Sequence, residues 1–284
     1  MFKGQKKSSQ LILLLPFIIL VLLFEVLPLL SIVVNGFKTP IYGGFTLDNF
    51  VQVFTSDYYV QSISNSLFVS FISTFIGLFI AVLSAYAIHM SSPKLRQAFI
   101  SILNATANFQ GIVLAFAFII LLGNAGIFTT LGIQFSIPFL EDYNLYTTSG
   151  ILITFIYFQI PLGTLLLYPS FDAVKEEYKE AAALMQASSF TFWTKIGLPI
   201  VLPSIFGTFS VLFSNALAAY ATPNALLGNN YALLPIRISS MFTGDVIQQV
   251  ELGSALSLVM LLIMGVMTLL STFILKKTRK GGKS

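Results

Sequence analysis

The chain has 284 residues, of which 56% are hydrophobic and only 9% charged, and its mean hydropathy is +0.88. A soluble domain carries about 25% charged residues, so composition alone assigns most of this chain to lipid. The net charge of +4 does not point to nucleic acid, because the basic residues lie in short stretches between apolar runs rather than on a folded basic patch; zero cysteines and one histidine exclude disulfides, thiolate metal centres and a multi-histidine metal site within the chain.

The chain opens MFKGQKK, a basic stretch ahead of an apolar one, which is the order of a secretory leader. The apolar run from Leu11 to Val34 is about the length of a bilayer crossing, and no small-residue cleavage site follows it. It therefore reads as a retained first helix. With about 20 residues needed per crossing, the spans fall near 11–35, 62–90, 98–123, 147–170, 200–222 and 251–275. In the first, Glu25 is a carboxylate well inside a span. Intramembrane ionisable groups are functional by default, although a place facing the bundle or near the outer interface beside Pro28 fits it too.

The second span carries small residues at Ser66, Ser70, Ser73, Gly77, Ala81 and Ala85, spaced by three or four, so that one face admits a neighbouring helix closely. His89, at its cytoplasmic end, reads as an interface residue. The third span is polar for a membrane helix, with Asn104, Asn108 and Gln110, and the fifth carries Asn215 and Tyr220. With Glu25, these are the candidates to line a pathway; the alternative is hydrogen bonding between helices. Pro199, Pro203 and Gly207 crowd the start of the fifth span. No internal repeat or low-complexity linker appears, so residues 1–284 read as a single all-α integral membrane domain of about six transmembrane helices.

Orientation follows from the cations. Lys3, Lys6, Lys7, Lys94, Arg96, Lys175, Lys179, Lys195, Lys276, Lys277, Arg279, Lys280 and Lys283 fall on one side of this arrangement, and only Lys38 and Arg237 on the other. The positive-inside rule then places both termini and the 171–199 connection in the cytoplasm of a multi-pass cell-membrane protein. The outer segments carry Asp48, Asp57, Glu141, Asp142, Asp245 and Glu251, which suits a cationic solute but also follows from the topology itself.

The longest cytoplasmic connection, Phe171 to Pro199, is dense in helix formers. Asp172, Lys175, Glu176 and Lys179 recur at three and four residues and form a charged face able to pair internally. Ala181, Ala182, Leu184 and Met185 gather on a more apolar side. Ser188-Ser189 then breaks the pattern and offers a cap for a short second helix over Phe190–Ile196. An amphipathic hairpin between two spans either lies on lipid or docks into a cytoplasmic partner. Glu176, Glu177 and Glu180 nearly balance the lysines, which favours the partner over the lipid surface.

Glu180-Ala181-Ala182, Ala187-Ser188 and Ile196-Gly197-Leu198-Pro199 resemble the EAA loop of binding-protein-dependent ABC importer permeases, whose pattern is Glu-Ala-Ala, three residues, Gly, nine residues, Ile-x-Leu-Pro. The spacing from Glu180 to Pro199 fits without a gap, but Gln186 stands where the family has glycine, so the backbone there is expected to differ. The weaker segments Phe45–Phe50, Asn65-Ser66-Leu67, Ala85-Tyr86-Ala87, Ala221-Thr222-Pro223 and Leu226-Leu227-Gly228 extend the resemblance over about 45–276, nearest the spermidine/putrescine-type branch.

The resemblance implies that the stretch 171–203 forms coupling helices between spans 4 and 5, seated through Glu180, Ala181, Ala182, Gln186, Ala187, Ile196, Leu198 and Pro199 on a separate ABC ATPase subunit. It further implies a second permease subunit, identical or not, and an extracellular or periplasmic substrate-binding protein. ATP and magnesium would then belong to the partner ATPase, with no cofactor or metal in this chain. The solute it implies is a polyamine first, with iron(III), phosphonate or sugar behind. The tail Gly281-Gly282-Lys283-Ser284 superficially matches the end of a phosphate-binding loop, but that pattern needs glycine where Lys277 stands and a helix afterwards, so no ATPase activity is expected of the chain itself. A secondary transporter or channel is the alternative. Such proteins commonly show repeats and helices broken at mid-membrane, neither of which the sequence displays clearly, and that reading leaves the loop unexplained. An intramembrane enzyme lacks the nucleophile–base pair or metal cluster it would need.

Overall fold

The structure is a computed structural model that describes residues 7–40, 43–243 and 248–281, with side chains described from 14 to 276 within those ranges. Lys3, Lys6, Asp245, Gly282, Lys283 and Ser284 lie outside the described residues, as do the side chains of Lys7, Lys277, Arg279 and Lys280. The elements in chain order are α1 (Lys7–Val21), a π-helical turn (Leu22–Val26), α2 (Leu27–Gly36), α3 (Asp48–Thr55), α4 (Asp57–His89), α5 (Pro93–Ala107), α6 (Ile112–Leu122), α7 (Ile127–Phe135), α8 (Pro138–Glu141), α9 (Thr148–Phe171), α10 (Glu176–Leu184), α11 (Ser189–Phe192), a second π-helical turn (Trp193–Gly197), α12 (Leu198–Leu217), α13 (Ala221–Leu227), a 3-10 turn (Gly228–Asn230), α14 (Leu234–Thr243) and α15 (Val250–Gly281). The fold is all-α, as expected.

Six stretches among the described residues are long and apolar enough to cross a membrane: Leu14–Gly36, Asp57–His89, Ile112–Phe135, Thr148–Phe171, Ser189–Leu217 and Val250–Lys276. The third departs from the expected 98–123. A helix does begin in that region, at Pro93, but it stops at Ala107. Asn104 Nδ2 bonds the Ile100 carbonyl within it (2.9 Å), and at its end Asn108 Nδ2 donates to Asn104 O (2.7 Å) and Gln110 Nε2 to Ala107 O (2.8 Å). Side chains thus satisfy carbonyls at the helix end, and Gly111, at φ +72°, redirects the chain into α6. The helix break that the sequence did not display is therefore present.

The fifth span also differs, beginning at Ser189 rather than near 200 and ending at Leu217 rather than 222. Its prolines do not start it. Leu198 N–H donates to Trp193 O, five residues back, and Pro199 follows. A proline ring clashes with the carbonyl four residues earlier and has no N–H to offer. Widening the preceding turn to π geometry relieves the clash, so the helix continues through the proline. The first span repeats the device, with Leu27 N–H bonded to Leu22 O just before Pro28.

The chain divides into two compact units, residues 1–60 with 237–261 and residues 61–236 with 262–284. In the first, Asn49 is buried and its Nδ2 donates to the carbonyls of Gly36 (3.0 Å) and Lys38 (2.9 Å), fastening the start of α3 to the end of α2. The Arg237 guanidinium lies 3.9 Å from the Tyr58 ring centroid.

In the second unit, the small-residue face of α4 meets α9. Ser66, Ser70, Ser73, Gly77, Ala81 and Ala85 are all buried. A Cβ on Gly77 would stand 3.0 Å from Gln159 Cβ, so the glycine lets the two helices approach closely. Beside it, Gln159 is fully buried, donating to Ser73 Oγ (2.8 Å) and accepting from Thr74 Oγ1 (3.0 Å). Helices α5 and α12 also pack along α9, and α13 packs against α6.

Candidate functional site

The 171–199 connection leaves α9 at Asp172 and folds as α10, a tight turn, then α11 running without interruption through the π turn into α12. Its charges pair less locally than the spacing predicts. Lys179 does donate to Glu176 (2.8 Å), but Asp172 turns away from the loop. Its carboxylate accepts two bonds from Arg96 Nη2 (3.0 and 2.8 Å) and stands 3.3 Å from His89 Nδ1. The expected apolar side is also redistributed. Ala182 is buried, with Val174 and Phe192, in a cluster that includes Phe171, Leu167, Leu78 and Leu212. Leu184 and Met185 instead stand 88% and 83% exposed at the tip, and Phe190 is 77% exposed.

Gln186 occupies the left-handed region at φ 56°. Gln186 N–H donates to Ala183 O (2.9 Å) and Ala187 N–H to Ala182 O (3.0 Å), the pair of bonds that closes a helix with a left-handed residue after its cap. Gln186 therefore holds a left-handed backbone of the kind glycine permits. The side chain is carried in a conformation that glycine adopts freely. Ser188 caps α11, its Oγ accepting from Thr191 N–H (3.2 Å), as expected. Glu180 and Ala181 are exposed on α10, while Ile196, Leu198 and Pro199 belong to the π turn and the start of α12. The π turn seats Trp193 edge-on to Tyr86 of α4, with ring centroids 4.9 Å apart, and a Cβ on Gly197 would run into the Trp193 ring.

Of the candidate pathway residues, Gln110, Asn215 and Tyr220 come together. They line a cavity of about 370 Å³ with Gly111, Phe158 and Thr222, where the α5–α6 break faces the end of α12. Thr222 Oγ1 donates to Gly111 O (3.1 Å) and braces the two breaks. Asn215 Nδ2 is buried and has no hydrogen-bond partner among the described residues, leaving a donor for a guest or water in this space. Asn104 on α5 and Asn108 just past its end are exposed and bond back to that helix, and Glu25 is exposed in the π turn of the first span, within the other unit. The sequence reading passed over Thr222 and Gly111 as site residues. A glycine between Gln110 and an unbroken apolar run was the available signal for the break.

Residues 74–280 match the family of binding-protein-dependent transport system inner membrane components. The spermidine/putrescine transport system permease protein PotC of Haemophilus influenzae is 24% identical over 265 residues, covering 92% of this chain and 95% of its own. A putative ferric transport system permease protein, FbpB 1, of the same organism is 28% identical over 252 residues, which are 86% of this chain but 38% of that longer protein. Among solved structures, a bacterial ABC transporter involved in the import of the acidic polysaccharide alginate superposes with a TM-score of 0.76 at 18% identity, covering 96% of each chain. The MetNI methionine ABC transporter in inward-facing form superposes at 0.59 and 14% identity, over 77% of this chain and 95% of that one.

Proposed function

The chain belongs to the family of binding-protein-dependent transport system inner membrane components, and from that premise we propose that its 171–199 loop is the seat of a separate ATPase subunit and that the cavity at the two helix breaks is part of the solute path. The protein is a multi-pass permease subunit of an ABC importer. Residues 1–284 act as one permease domain, a reading supported by a family match that draws on both compact units.

The observation that carries the docking reading is the loop tip. Leu184, Met185 and Phe190 stand exposed on a hairpin whose root is held by buried Val174, Ala182 and Phe192. A rigid root with an apolar tip is the form of a plug, and its acidic residues disfavour adsorption to an anionic lipid surface. ATP and magnesium are carried by the partner, which supplies the energy. A second permease subunit completes the path, and a binding protein delivers the solute from outside. Both termini and the loop face the cytoplasm of a prokaryotic cell membrane, in line with the cation asymmetry.

A polyamine is the proposed solute. The PotC relatives support it by matching 90% or more of both chains, and the acidic outer segments suit a cation. The test is uptake of radiolabelled spermidine into cells lacking other polyamine importers, with and without this chain. Uptake that depends on the chain supports the reading; its absence, with uptake of ferric iron or sugar in its place, replaces the solute and leaves the permease role intact.

A further inference from the structure

The Asp172 contacts join the end of α9 to the consecutive helices α4 and α5, 83 and 76 residues away in sequence. Asp172 is the first residue after α9, Arg96 lies in the first turn of α5, and His89 is the last residue of α4. The Arg96 guanidinium sits between Tyr168 of α9 and the residue just past that helix, bonded to the Asp172 carboxylate and 5.2 Å from the Tyr168 ring centroid. At the far end of the loop, Trp193 lies against Tyr86 of α4 and Phe171 of α9. The loop is thus fastened at entry by an ion pair and at exit by an aromatic contact.

Helix α5 runs from this clamp to Ala107, where the break that lines the cavity begins. Its 15 residues span about 22 Å. We infer that Asp172 and Arg96 are positioning residues that turn α5 into a lever, carrying loop displacement from the ATPase side to the Gln110–Gly111 break. This deepens the importer reading and rests on it.

Stability is not a sufficient reason for the pair. Its side chains are 49% and 30% exposed, and exposed ion pairs contribute little to folding. What the pair provides is attachment: Arg96 Nη2 reaches both Asp172 oxygens while the guanidinium lies by Tyr168, so the start of α5 is held to the end of α9 at two points. The same weakness means that variants of the pair should fold.

The test uses the complex purified with its ATPase and placed in nanodiscs. The chain has no cysteine, so Ala105→Cys, exposed near the end of α5, gives a single reporter thiol. The rate of maleimide labelling is measured with and without ATP plus vanadate. With the pair intact, the nucleotide should change that rate by about threefold or more, the scale of couplings carried through packed networks. Asp172→Ala and Arg96→Ala should each abolish the change while the amount of bound ATPase stays within about twofold. Asp172→Glu should restore it, and the double alanine variant should be no worse than either single.

A full response in the single variants would overturn the lever, as would independent, additive losses or an unresponsive parent. Loss of ATPase from Asp172→Ala would assign Asp172 to docking and overturn it too. If the parent chain retains no ATPase at all, the importer reading fails and this inference goes with it.

Discussion

Replacing Leu184 and Met185 together by serine removes the apolar tip of the loop without touching its root. Both side chains are more than 80% exposed in the isolated chain, so the change should alter its own stability by no more than about 0.5 kcal/mol. Seated in an ATPase cleft, each would contribute about 1.5–3 kcal/mol by leaving water. Losing both therefore costs about 3–6 kcal/mol of association, a weakening of roughly 10²- to 10⁴-fold. The assay is binding of the purified ATPase subunit to the permease in nanodiscs, with thermal unfolding measured on the same samples. An affinity unchanged within about twofold, at unchanged Tm, would refute tip docking and return the hairpin to the lipid surface.

Four further outcomes are expected. Glu180→Lys, on exposed α10, should lower ATPase affinity or uncouple hydrolysis from uptake while membrane abundance holds, as measured on the three quantities together. Gln159→Leu should destabilise the α4–α9 contact by about 1–3 kcal/mol, because the Thr74 and Ser73 hydroxyls lose their buried partner; a lowered Tm in detergent checks it. Gln186→Gly should raise Tm, since a non-glycine residue in the left-handed region costs about 1–2 kcal/mol and the added chain entropy of glycine offsets about 0.4–1 of it. A cysteine at Asn229 should label with an impermeant reagent added outside intact cells, whereas one at Glu177 should label only after lysis; the reverse would invert the proposed topology.

The spans and the small-residue face of α4 were legible because each is a local statement. A bilayer crossing is a count of apolar residues, and a packing face is a spacing of three and four. The third span escaped for a related reason. Hydropathy counts Asn104, Asn108 and Gln110 as a modest interruption, but the Asn108 and Gln110 amides turn back onto the carbonyls of Asn104 and Ala107 where the helix stops. The fifth span escaped because prolines usually mark helix starts, whereas here a π turn absorbs Pro199 inside a continuing helix.

The candidate site divides along the same line. Glu180 to Pro199 is a spacing within one loop, so sequence alone could find it, and Ser188 could be read as its cap. What the loop is fastened to could not be read that way. Asp172 has Lys175, Glu176 and Lys179 within reach along the chain, and local charge rules pair it there. It bonds Arg96 instead, 76 residues away, because the end of α9 comes beside the turn between α4 and α5. The cavity is likewise a meeting of distant segments: Gln110, Asn215 and Tyr220 could be singled out by their polarity, but not their convergence with Gly111, Phe158 and Thr222. Gln186 shows the converse limit. A family pattern predicts glycine from the backbone it permits, yet the two hydrogen bonds closing α10 impose that backbone on glutamine. Spacing within the loop could flag the missing glycine, but only the bonds across the turn show the left-handed conformation that Gln186 takes.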